Sequence, residues 1–346
     1  MAEEGISLPA DFYKPDVDNM RQVILQMPEQ AEQGYKLAEA LDLGRAGGKY
    51  NSVLIAGMGG SAIAGLLLQG FLADQPMRIT VVQDYSLPLW TDKQTLVIAC
   101  SYSGNTEETL SVYKEARRKG CDVIAVTTGG KLEEYANVSK LIVVNIPTGF
   151  QPRAALAYQF FAILRILEKL RLVESKAKDV LRLKEDLKAQ LQGLERNAIL
   201  LSEKLLHKTP LIYAGKRFEA ISYRWKCQFN ENSKIMAFNN VFSEMNHNEV
   251  EGFENLIGSY YSIILKFDED HRRVQKRMTL TKDIMLRKGV SATEIGIRGA
   301  SLLSKMFSAI ILGDLTSYYL ALRLRVDPTG VSLIQDLKEK LGPWVA

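Results

Sequence analysis

The sequence predicts an α/β protein with two doubly wound parallel-sheet domains that are related by duplication. Short apolar segments alternate with helical segments along the chain, and 346 residues are enough for two domains. A strand–turn–helix segment in the first half, LIAGMGGSAIAGL, has a counterpart in the second half, LIYAGKRFEAISY. We predict four regions: a helical lead-in (1–48), a first domain (49–172), a helical connector (173–208) and a second domain (209–346).

The composition is that of a globular protein, with 47% apolar and 24% charged residues. The net charge of +4 is distributed among interspersed acidic and basic residues, so we expect no nucleic-acid partner. Three cysteines without an even-numbered framework predict a reduced, cytoplasmic protein, and no His, Cys, Asp or Glu set has the spacing of a metal site. Residues 1–30 lack the pattern of a signal peptide, and no apolar run is long enough to cross a membrane.

The elements of the first half follow a strand–helix alternation. A lead-in helix is predicted over Asp16–Gly34, and the glycine-rich Gly44–Lys49 is predicted to be a linker. Helices are predicted over Ala62–Leu72 and Glu107–Lys119. Buried strands are predicted at these apolar segments: Val53–Ala56, Ile79–Val82, Thr95–Ala99, Val123–Val126 and Leu141–Val144.

The second half repeats the alternation after a charged helix over Ser175–Lys208. Strands are predicted at Leu211–Ala214, Ile235–Phe238 and Ser262–Phe267, and later helices at Ser301–Leu324 and Val331–Leu341. In this half Lys216, Arg217 and Phe218 replace the small residues of the first glycine turn. We therefore expect only the first half to hold a phosphate.

The first candidate site is the glycine turn of GMGGS, which lies between a strand and a helix. Gly57, Gly59 and Gly60 permit a tight turn, and the following helix directs N–H groups and its positive dipole end at one point. This arrangement is typical of phosphate binding. The G-x-G-x-x-A pattern that ends at Ala62, with Asp84 after the next strand, also fits a dinucleotide site.

A second loop, SYSGNTEE, follows the third predicted strand and leads into another helix. Its hydroxyls on Ser101, Ser103 and Thr106 join that of Ser61 at adjacent strand ends, which favours one compact phosphomonoester over a dinucleotide. The alternative is that Asn105 and Glu108 form an ordinary capping box and that the hydroxyls only cap helices. Two such loops at neighbouring strand ends favour the phosphate site.

GMGGS (57–61) and SYSGNTEE (101–108) resemble the phosphate loops of sugar isomerase (SIS) domains. The run FNENSKIMAFNNVFSEMNHNEVEGF (229–253) resembles the bifunctional phosphoglucose/phosphomannose isomerases, and the resemblance covers nearly all of residues 15–341. It implies SIS-type, flavodoxin-like domains. It also implies an aldose–ketose isomerase that interconverts glucose 6-phosphate or mannose 6-phosphate with fructose 6-phosphate through a cis-enediol, without a cofactor. The substrate-binding residues implied are Gly59, Gly60, Ser61, Ser101, Ser103 and Thr106.

The resemblance assigns proton transfer to Glu231 and ring opening to His247. From composition alone Glu231 would be a solvated loop acid, although the flanking Asn230 and Asn232 could hold its carboxylate and raise its proton affinity. His247 could equally be a structural histidine. In related isomerases the matching histidine comes from the partner subunit, so the resemblance implies a homodimer.

Three further residues complete the predicted site. Arg153 precedes a helix, where a cation is electrostatically unfavourable, so a role in stabilising the enediolate or holding the substrate is favoured. Lys338 matches the family's lysine near the ring oxygen, although the sequence alone does not distinguish it from Lys340, a solvated charge on the same helix. Thr329 is the candidate for the threonine that admits both C2 epimers, although its spacing to Lys338 is longer than the family pattern. The alternatives that remain open are a non-catalytic sugar-phosphate sensor and an NAD-linked enzyme.

Overall fold

The structure is a computed structural model that describes residues 8–43 and 50–342; the predicted linker Gly44–Lys49 lies outside the described residues. The chain divides into two units. Gln26–Lys184 with Leu337–Ala346 is here called the first domain, and Met1–Leu25 with Glu185–Asp336 the second domain. Among the described residues, no helix combines the length and apolar character needed to cross a membrane.

The lead-in contains two helices, where the sequence predicted a single helix over Asp16–Gly34. These are α1 (Met20–Leu25) and α2 (Met27–Leu37). The Asp16 carboxylate accepts a hydrogen bond from the backbone N–H of Met20 at 2.6 Å. Helix α1 begins at Met20, four residues later than predicted. Pro28 lies in the first turn of α2, where its missing N–H is tolerated, and this explains the new helix start.

The first domain contains the predicted parallel sheet, and each of the predicted strands is present. Its strands are β1 (Ser52–Ala56), β2 (Arg78–Val82), β3 (Thr95–Ser101), β4 (Asp122–Thr127) and β5 (Ile142–Asn145). The order is β2-β1-β3-β4-β5, with Val53 of β1 opposite both Ile79 and Leu96. Every residue of β1 and β3 is buried, as expected for central strands covered on both faces.

Three helices connect strands of this sheet and a fourth follows its last strand; two of them match the predicted ranges closely. They are α3 (Gly59–Phe71), α4 (Glu107–Arg118), α5 (Gly130–Val138) and α6 (Leu156–Lys169). Helix α2 packs directly on α6, because a Cβ at Gly34 would lie 2.8 Å from the Tyr158 Cα. Tyr35 donates to the buried Glu168 carboxylate, which fixes this pair of helices.

The second sheet follows the long helix α7 (Ala177–Lys204). Its strands are β6 (Thr209–Gly215), β7 (Phe238–Phe242), β8 (Tyr260–Lys266) and β9 (Ser291–Gly296). The order β7-β6-β8-β9 repeats the β2-β1-β3-β4 order of the first sheet, so the predicted pair of related parallel-sheet domains is confirmed.

Two details of the second sheet differ from the prediction. The strand predicted at Ile235–Phe238 instead begins at Phe238. The Asn230 side-chain amide donates a hydrogen bond to the Ile235 carbonyl at 2.8 Å, and this bond holds the preceding segment in a loop. The sequence analysis missed β9, since none of its side chains is fully buried and it contains no apolar run.

The remaining helices are α8 (Glu219–Glu231), α9 (Arg272–Arg287), α10 (Leu302–Arg323) and α11 (Ser332–Leu341). Helices α8 and α10 pack closely, because Gly313 leaves room for the Trp225 ring, whose Nε1 donates to the Ala309 carbonyl at 2.9 Å. Arg224 and Asp314 form a bidentate ion pair between these helices, with distances of 3.0 and 2.6 Å. Both side chains are at most 2% exposed.

Candidate active site

The two predicted phosphate loops meet at the carboxyl ends of β1 and β3, where the direction of strand addition in the first sheet reverses. The loop Gly57–Ser61 follows β1, and the loop Ser101–Thr106 follows β3. The Ser61 hydroxyl accepts the Tyr102 backbone N–H at 3.3 Å and joins the two loops. The structure therefore brings together the two motifs that the sequence predicted to be neighbours.

Arg153 lies beside the first loop and is only 3% exposed. A Cβ on Gly60 would lie 2.9 Å from both the Arg153 Cα and the Pro152 carbonyl oxygen. Gly60 is thus required for this close approach, whereas Gly59 has a positive φ of 51°, a conformation that glycine adopts more readily than other residues. Arg153 belongs to a short 3-10 helix, Pro152–Ala155, that leads into α6. The loop geometry thus places a buried cation next to the start of α3.

Helices α3 and α4 begin at these loops, and in neither of them does the side chain of the N-cap residue accept a hydrogen bond from the first turn. Thr106, the N-cap residue of α4, instead shares a 2.9 Å hydrogen bond with the Ser101 hydroxyl. The Asn105 amide donates to the Ser103 carbonyl and its oxygen accepts the Lys131 N–H, both at 3.1 Å. The alternative capping box is therefore not formed, and no N-cap side chain binds the first-turn N–H groups of α3 or α4.

The Ser61 hydroxyl is buried and also accepts a hydrogen bond from Gln159 Nε2 at 3.0 Å. Because its oxygen receives two N–H groups, its own proton is left as a donor. Gln159 is fully buried in α6 and was not among the predicted site residues. Its sequence signal is a polar residue on the apolar face of a helix, which is uncommon without a specific partner.

Tyr102 is a second site residue that the sequence analysis missed. Its hydroxyl accepts the Phe150 N–H at 2.9 Å and donates to the Pro147 carbonyl at 3.2 Å. Burial raises the pKa of Tyr102, so the hydroxyl stays protonated and able to donate. Tyr102 therefore connects the second phosphate loop to the segment that leads to Arg153.

Glu231 is the last residue of α8 and is partly exposed. The next two residues, Asn232 and Ser233, are buried and bind Ser317 of α10 at 3.0 and 2.6 Å. Asn230 binds the Ile235 carbonyl. These contacts hold the chain on both sides of Glu231.

His247 ends a short 3-10 helix, Glu244–His247, and its side chain is exposed. The residue before it, Asn246, donates to the Thr281 hydroxyl at 2.7 Å. Two residues further on, the Glu249 carboxylate accepts from the Tyr213 hydroxyl at 2.5 Å; burial, together with this pairing, raises the pKa of the tyrosine. The His247 side chain is thus exposed, while Asn246 and Glu249 on either side of it are held by hydrogen bonds.

Lys338 and Thr329 differ in their surroundings. Thr329 is 6% exposed, in a turn where its N–H donates to Asp327 Oδ1 at 2.8 Å. Lys338 is exposed on α11, a helix in which no residue is buried. The apolar residues of that helix are all exposed as well: Leu333, Ile334, Leu337 and Leu341. The predicted lysine therefore lies on a helix whose apolar face is uncovered in this chain.

The corresponding position of the second sheet, at the ends of β6 and β8, has different chemistry. The rings of Phe218 and Phe267 stack there with centroids 3.7 Å apart. A Cβ on Gly215 would lie 1.8 Å from Asp270 Oδ1, so a carboxylate is packed against the end of β6. An aromatic pair and a carboxylate disfavour an anion, which supports the expectation that only the first half holds a phosphate.

Asp270 gives this second position a measurable pH dependence. Burial raises the pKa of the Asp270 carboxyl to about 6. An unfolded aspartate titrates near pH ~4, so the folded protein holds this proton more tightly. The contribution of Asp270 to stability is therefore fully present below pH ~4 and is lost as the pH rises to about 6. We expect Asp270→Asn to gain stability relative to the unmodified protein across that window.

Urea unfolding at several pH values between about 4 and 7 measures this difference. Asp268→Asn is the matched control, because the Asp268 side chain is 87% exposed and neighbours the same loop. Its stability difference should change little over the same range. A difference for Asp270→Asn that is constant with pH would contradict the prediction.

The chain is similar to known proteins over most of its length. Residues 194–341 match the family described as the bacterial phospho-glucose isomerase C-terminal SIS domain. A bifunctional phosphoglucose/phosphomannose isomerase of Caldicellulosiruptor bescii is 43% identical over 93% of this chain and 99% of the relative. The one of Aquifex aeolicus is 34% identical over 90% and 98%, respectively.

Solved structures share the fold at low sequence identity. A Clostridium difficile protein described as a candidate phosphosugar isomerase superposes with a TM-score of 0.74 and 16% identity, covering 94% of this chain and 99% of that one. Tagatose-6-phosphate ketose/aldose isomerase of Escherichia coli gives a TM-score of 0.69 and 14% identity, covering 90% and 95%. These neighbours support the SIS-type fold.

Proposed function

Because the chain belongs to the bifunctional phosphoglucose/phosphomannose isomerase family, it is an aldose–ketose isomerase, and we propose that it interconverts glucose 6-phosphate and mannose 6-phosphate with fructose 6-phosphate. The observation that carries the substrate class is the meeting of two loops, each followed by a helix without a side-chain cap, beside the buried Arg153. The relatives named as isomerases favour catalysis over the sensor alternative.

The 6-phosphate is assigned to the first domain. Its oxygens would accept N–H groups from the first turns of α3 and α4 together with hydroxyl protons from the two loops. The donors at these loops are Gly59, Gly60, Ser61, Ser101, Ser103 and Thr106. One hydrogen bond within the second loop and one between the two loops hold these groups in place before the substrate arrives, which lowers the entropic cost of binding.

Proton transfer between C1 and C2 is assigned to Glu231. Isomerisation requires one base that removes a proton from one carbon and returns it to the next, on one face of a cis-enediol. A carboxylate at a fixed helix end suits this task, since Asn232 and Ser233 hold the backbone that follows it. Arg153 is assigned to the negative charge that develops on the enediolate oxygen.

Ring opening is assigned to His247, with assistance from Lys338. An imidazole is neutral or charged near physiological pH and can pass the ring proton in either direction. We assign His247 to the partner subunit of a homodimer, and its exposure in the single chain supports this. The uncovered apolar face of α11 is a further surface that a second subunit could bury.

Thr329 is assigned to epimer tolerance, as the residue that leaves room for a water next to C2. Its position in a buried turn ordered by Asp327 gives it a defined orientation. We also assign the enzyme to carbohydrate metabolism in the cytoplasm, which is consistent with the buried free thiols of Cys100 and Cys121.

A coupled assay on the purified protein, with chelator present, tests the activity. Each of the three sugar phosphates is offered in turn, and we expect each to be converted. Binding of fructose 6-phosphate without conversion would favour the sensor, and tight binding of a nicotinamide cofactor would favour the NAD-linked enzyme.

Subunit mixing tests the homodimer and the origin of His247. Glu231→Gln and His247→Asn should each be inactive alone. A hybrid dimer of the two would pair an intact Glu231 with an intact His247 in one of its two sites if the histidine crosses the interface. Random mixing should then restore about a quarter of the wild-type rate, because about half of the dimers are hybrids.

The control is each variant mixed with itself under the same conditions. A mixture as inactive as its components would show that His247 serves the site of its own chain. A monomer in sedimentation experiments with full activity would reject the homodimer altogether.

A further inference from the structure

We propose that Ser317 of α10 is a positioning residue that fixes the direction of the Glu231 side chain for proton transfer. The inference rests on the proposed role of Glu231 as the base. Ser317 lies in the C-terminal half of α10, a helix that is buried along nearly its whole length. Its contacts with the two residues after Glu231 carry the argument.

Ser317 makes three hydrogen bonds at one place. Its hydroxyl oxygen accepts Asn232 Nδ2 at 3.0 Å, and its backbone carbonyl accepts the Ser233 hydroxyl at 2.6 Å. The Ser317 hydroxyl itself donates to the Asp314 carbonyl at 2.8 Å. Asn232, Ser233 and Ser317 are each at most 1% exposed. The end of α8 is thus attached to α10 by a buried polar cluster.

The direction of these bonds is set by the helix. Because the Ser317 proton is committed to the Asp314 carbonyl, the Ser317 oxygen faces Asn232 as an acceptor. Buried hydrogen bonds of this kind are strong and have little alternative geometry, since no water competes for the groups. Asn232 and Ser233 are consequently held against α10, and Glu231 directly precedes them in the chain.

The end of a helix needs such a clamp when it carries a reacting group. Terminal turns fray because their last carbonyls have no partner within the helix. A general base must lie within hydrogen-bond distance of the proton that it removes, and a displacement of about 1 Å can reduce the rate by about 10²-fold. Helix α10, which is buried along nearly its whole length, provides a rigid reference for this position.

The chain offers a matched control on the same helix. Ser308 is also buried, and its hydroxyl also donates to carbonyl oxygens, those of Arg298 and Lys305, both at 3.0 Å. Serine-to-alanine changes at 308 and 317 remove the same atom from the same helix. Only the change at Ser317 removes a contact with the segment that follows Glu231.

Steady-state kinetics of Ser317→Ala and Ser308→Ala test the proposal. We expect Ser317→Ala to lower kcat by about 10- to 100-fold with KM within about threefold, because phosphate binding is left intact. Ser308→Ala should keep kcat within about twofold. Combining Asn232→Ala with Ser317→Ala should lower kcat no further than the more damaging single change, since both remove the same bond.

Equal kcat values for Ser317→Ala and Ser308→Ala would overturn the proposal. If Ser317→Ala does not fold, Asn232→Ala removes the same bond from the other side, and its kcat against that of Ser308→Ala decides the question. Glu231→Gln is measured in parallel. An active Glu231→Gln would reject the proposed base, whereas an inactive Glu231→Gln with an unaffected Ser317→Ala would reject only the role of Ser317.

Discussion

Replacement of Glu231 by glutamine is expected to lower kcat by about 10³-fold or more while sugar-phosphate binding is retained. Glutamine has nearly the same shape as glutamate but cannot take up a proton, and positioned acid–base groups contribute about 10²- to 10⁴-fold to such reactions. The backbone around the residue is held by Asn230, Asn232 and Ser233, which the substitution does not change.

Two measurements separate chemistry from binding. Calorimetric titration with fructose 6-phosphate should give a dissociation constant within a few fold of the wild-type value. In deuterated water, Glu231→Gln should also stop the exchange of the C1 proton of fructose 6-phosphate, because exchange requires the same base. Loss of isomerisation with continued exchange would show that another group removes the proton.

The control lies at the other end of the same helix. Glu219 begins α8, is about half exposed, and pairs with Lys216 at 2.6 Å. Glu219→Gln makes the same chemical change without touching the segment after Glu231, so its kcat should remain within about twofold of the wild-type value. Equal losses for Glu219→Gln and Glu231→Gln would indicate a general effect of α8 on activity.

The strands and turns that build the site were predictable because their signals are local. The buried strands β1 and β3 are continuous apolar runs, and the glycines at 57, 59 and 60 directly follow the first of them. Each feature is decided by residues within a few positions of one another. The adjacency of the two loops then follows from the topology of a parallel sheet.

The residues that hold the site in place could not be predicted, because their partners are distant in sequence. Gln159 lies 98 positions from Ser61, and Ser317 lies 85 positions from Asn232. No periodicity connects such pairs. The only local signal is a polar residue within an apolar helical pattern. That signal does not identify the hydrogen-bond partner of the residue or its role.

The misplaced strand has a similar cause. The apolar residues of Ile235–Ala237 predict the start of a strand. In the structure, however, Lys234 has a positive φ of 58°, and the Asn230 side chain donates a hydrogen bond to the Ile235 carbonyl. A side-chain hydrogen bond thus competes with the sheet for a backbone acceptor. The outcome keeps the residues after Glu231 in a loop, where they can bind α10.

Replacement of Asp314 by alanine is expected to destabilise the second domain by about 3–5 kcal/mol, the largest loss of stability among the changes considered. The substitution removes the carboxylate from a bidentate pair and leaves the Arg224 guanidinium buried at 0% exposure. Breaking one side of a buried pair costs more than the pair contributes, because the remaining buried charge has lost the carboxylate that faced it.

Fluorescence of Trp225 during urea unfolding measures this loss. Trp225 is the neighbour of Arg224 in α8 and is fully buried against α10. A background in which Trp90 and Trp344 are phenylalanine makes the signal specific for the second domain. We expect the unfolding midpoint of Asp314→Ala to fall in proportion to the loss of free energy, with an unchanged slope.

Two further variants, a control and a partial rescue, test whether the loss of stability comes from the buried ion pair. Glu219→Ala breaks the exposed pair with Lys216 on the same helix and should cost at most about 1 kcal/mol. The double replacement Arg224→Met with Asp314→Leu should recover part of the loss, because it removes both charges from the apolar contact between α8 and α10. If Asp314→Ala costs no more than Glu219→Ala, the pair does not hold the two helices together. The end of α8 would then be held to α10 by other contacts, among them those of Ser317 and Trp225.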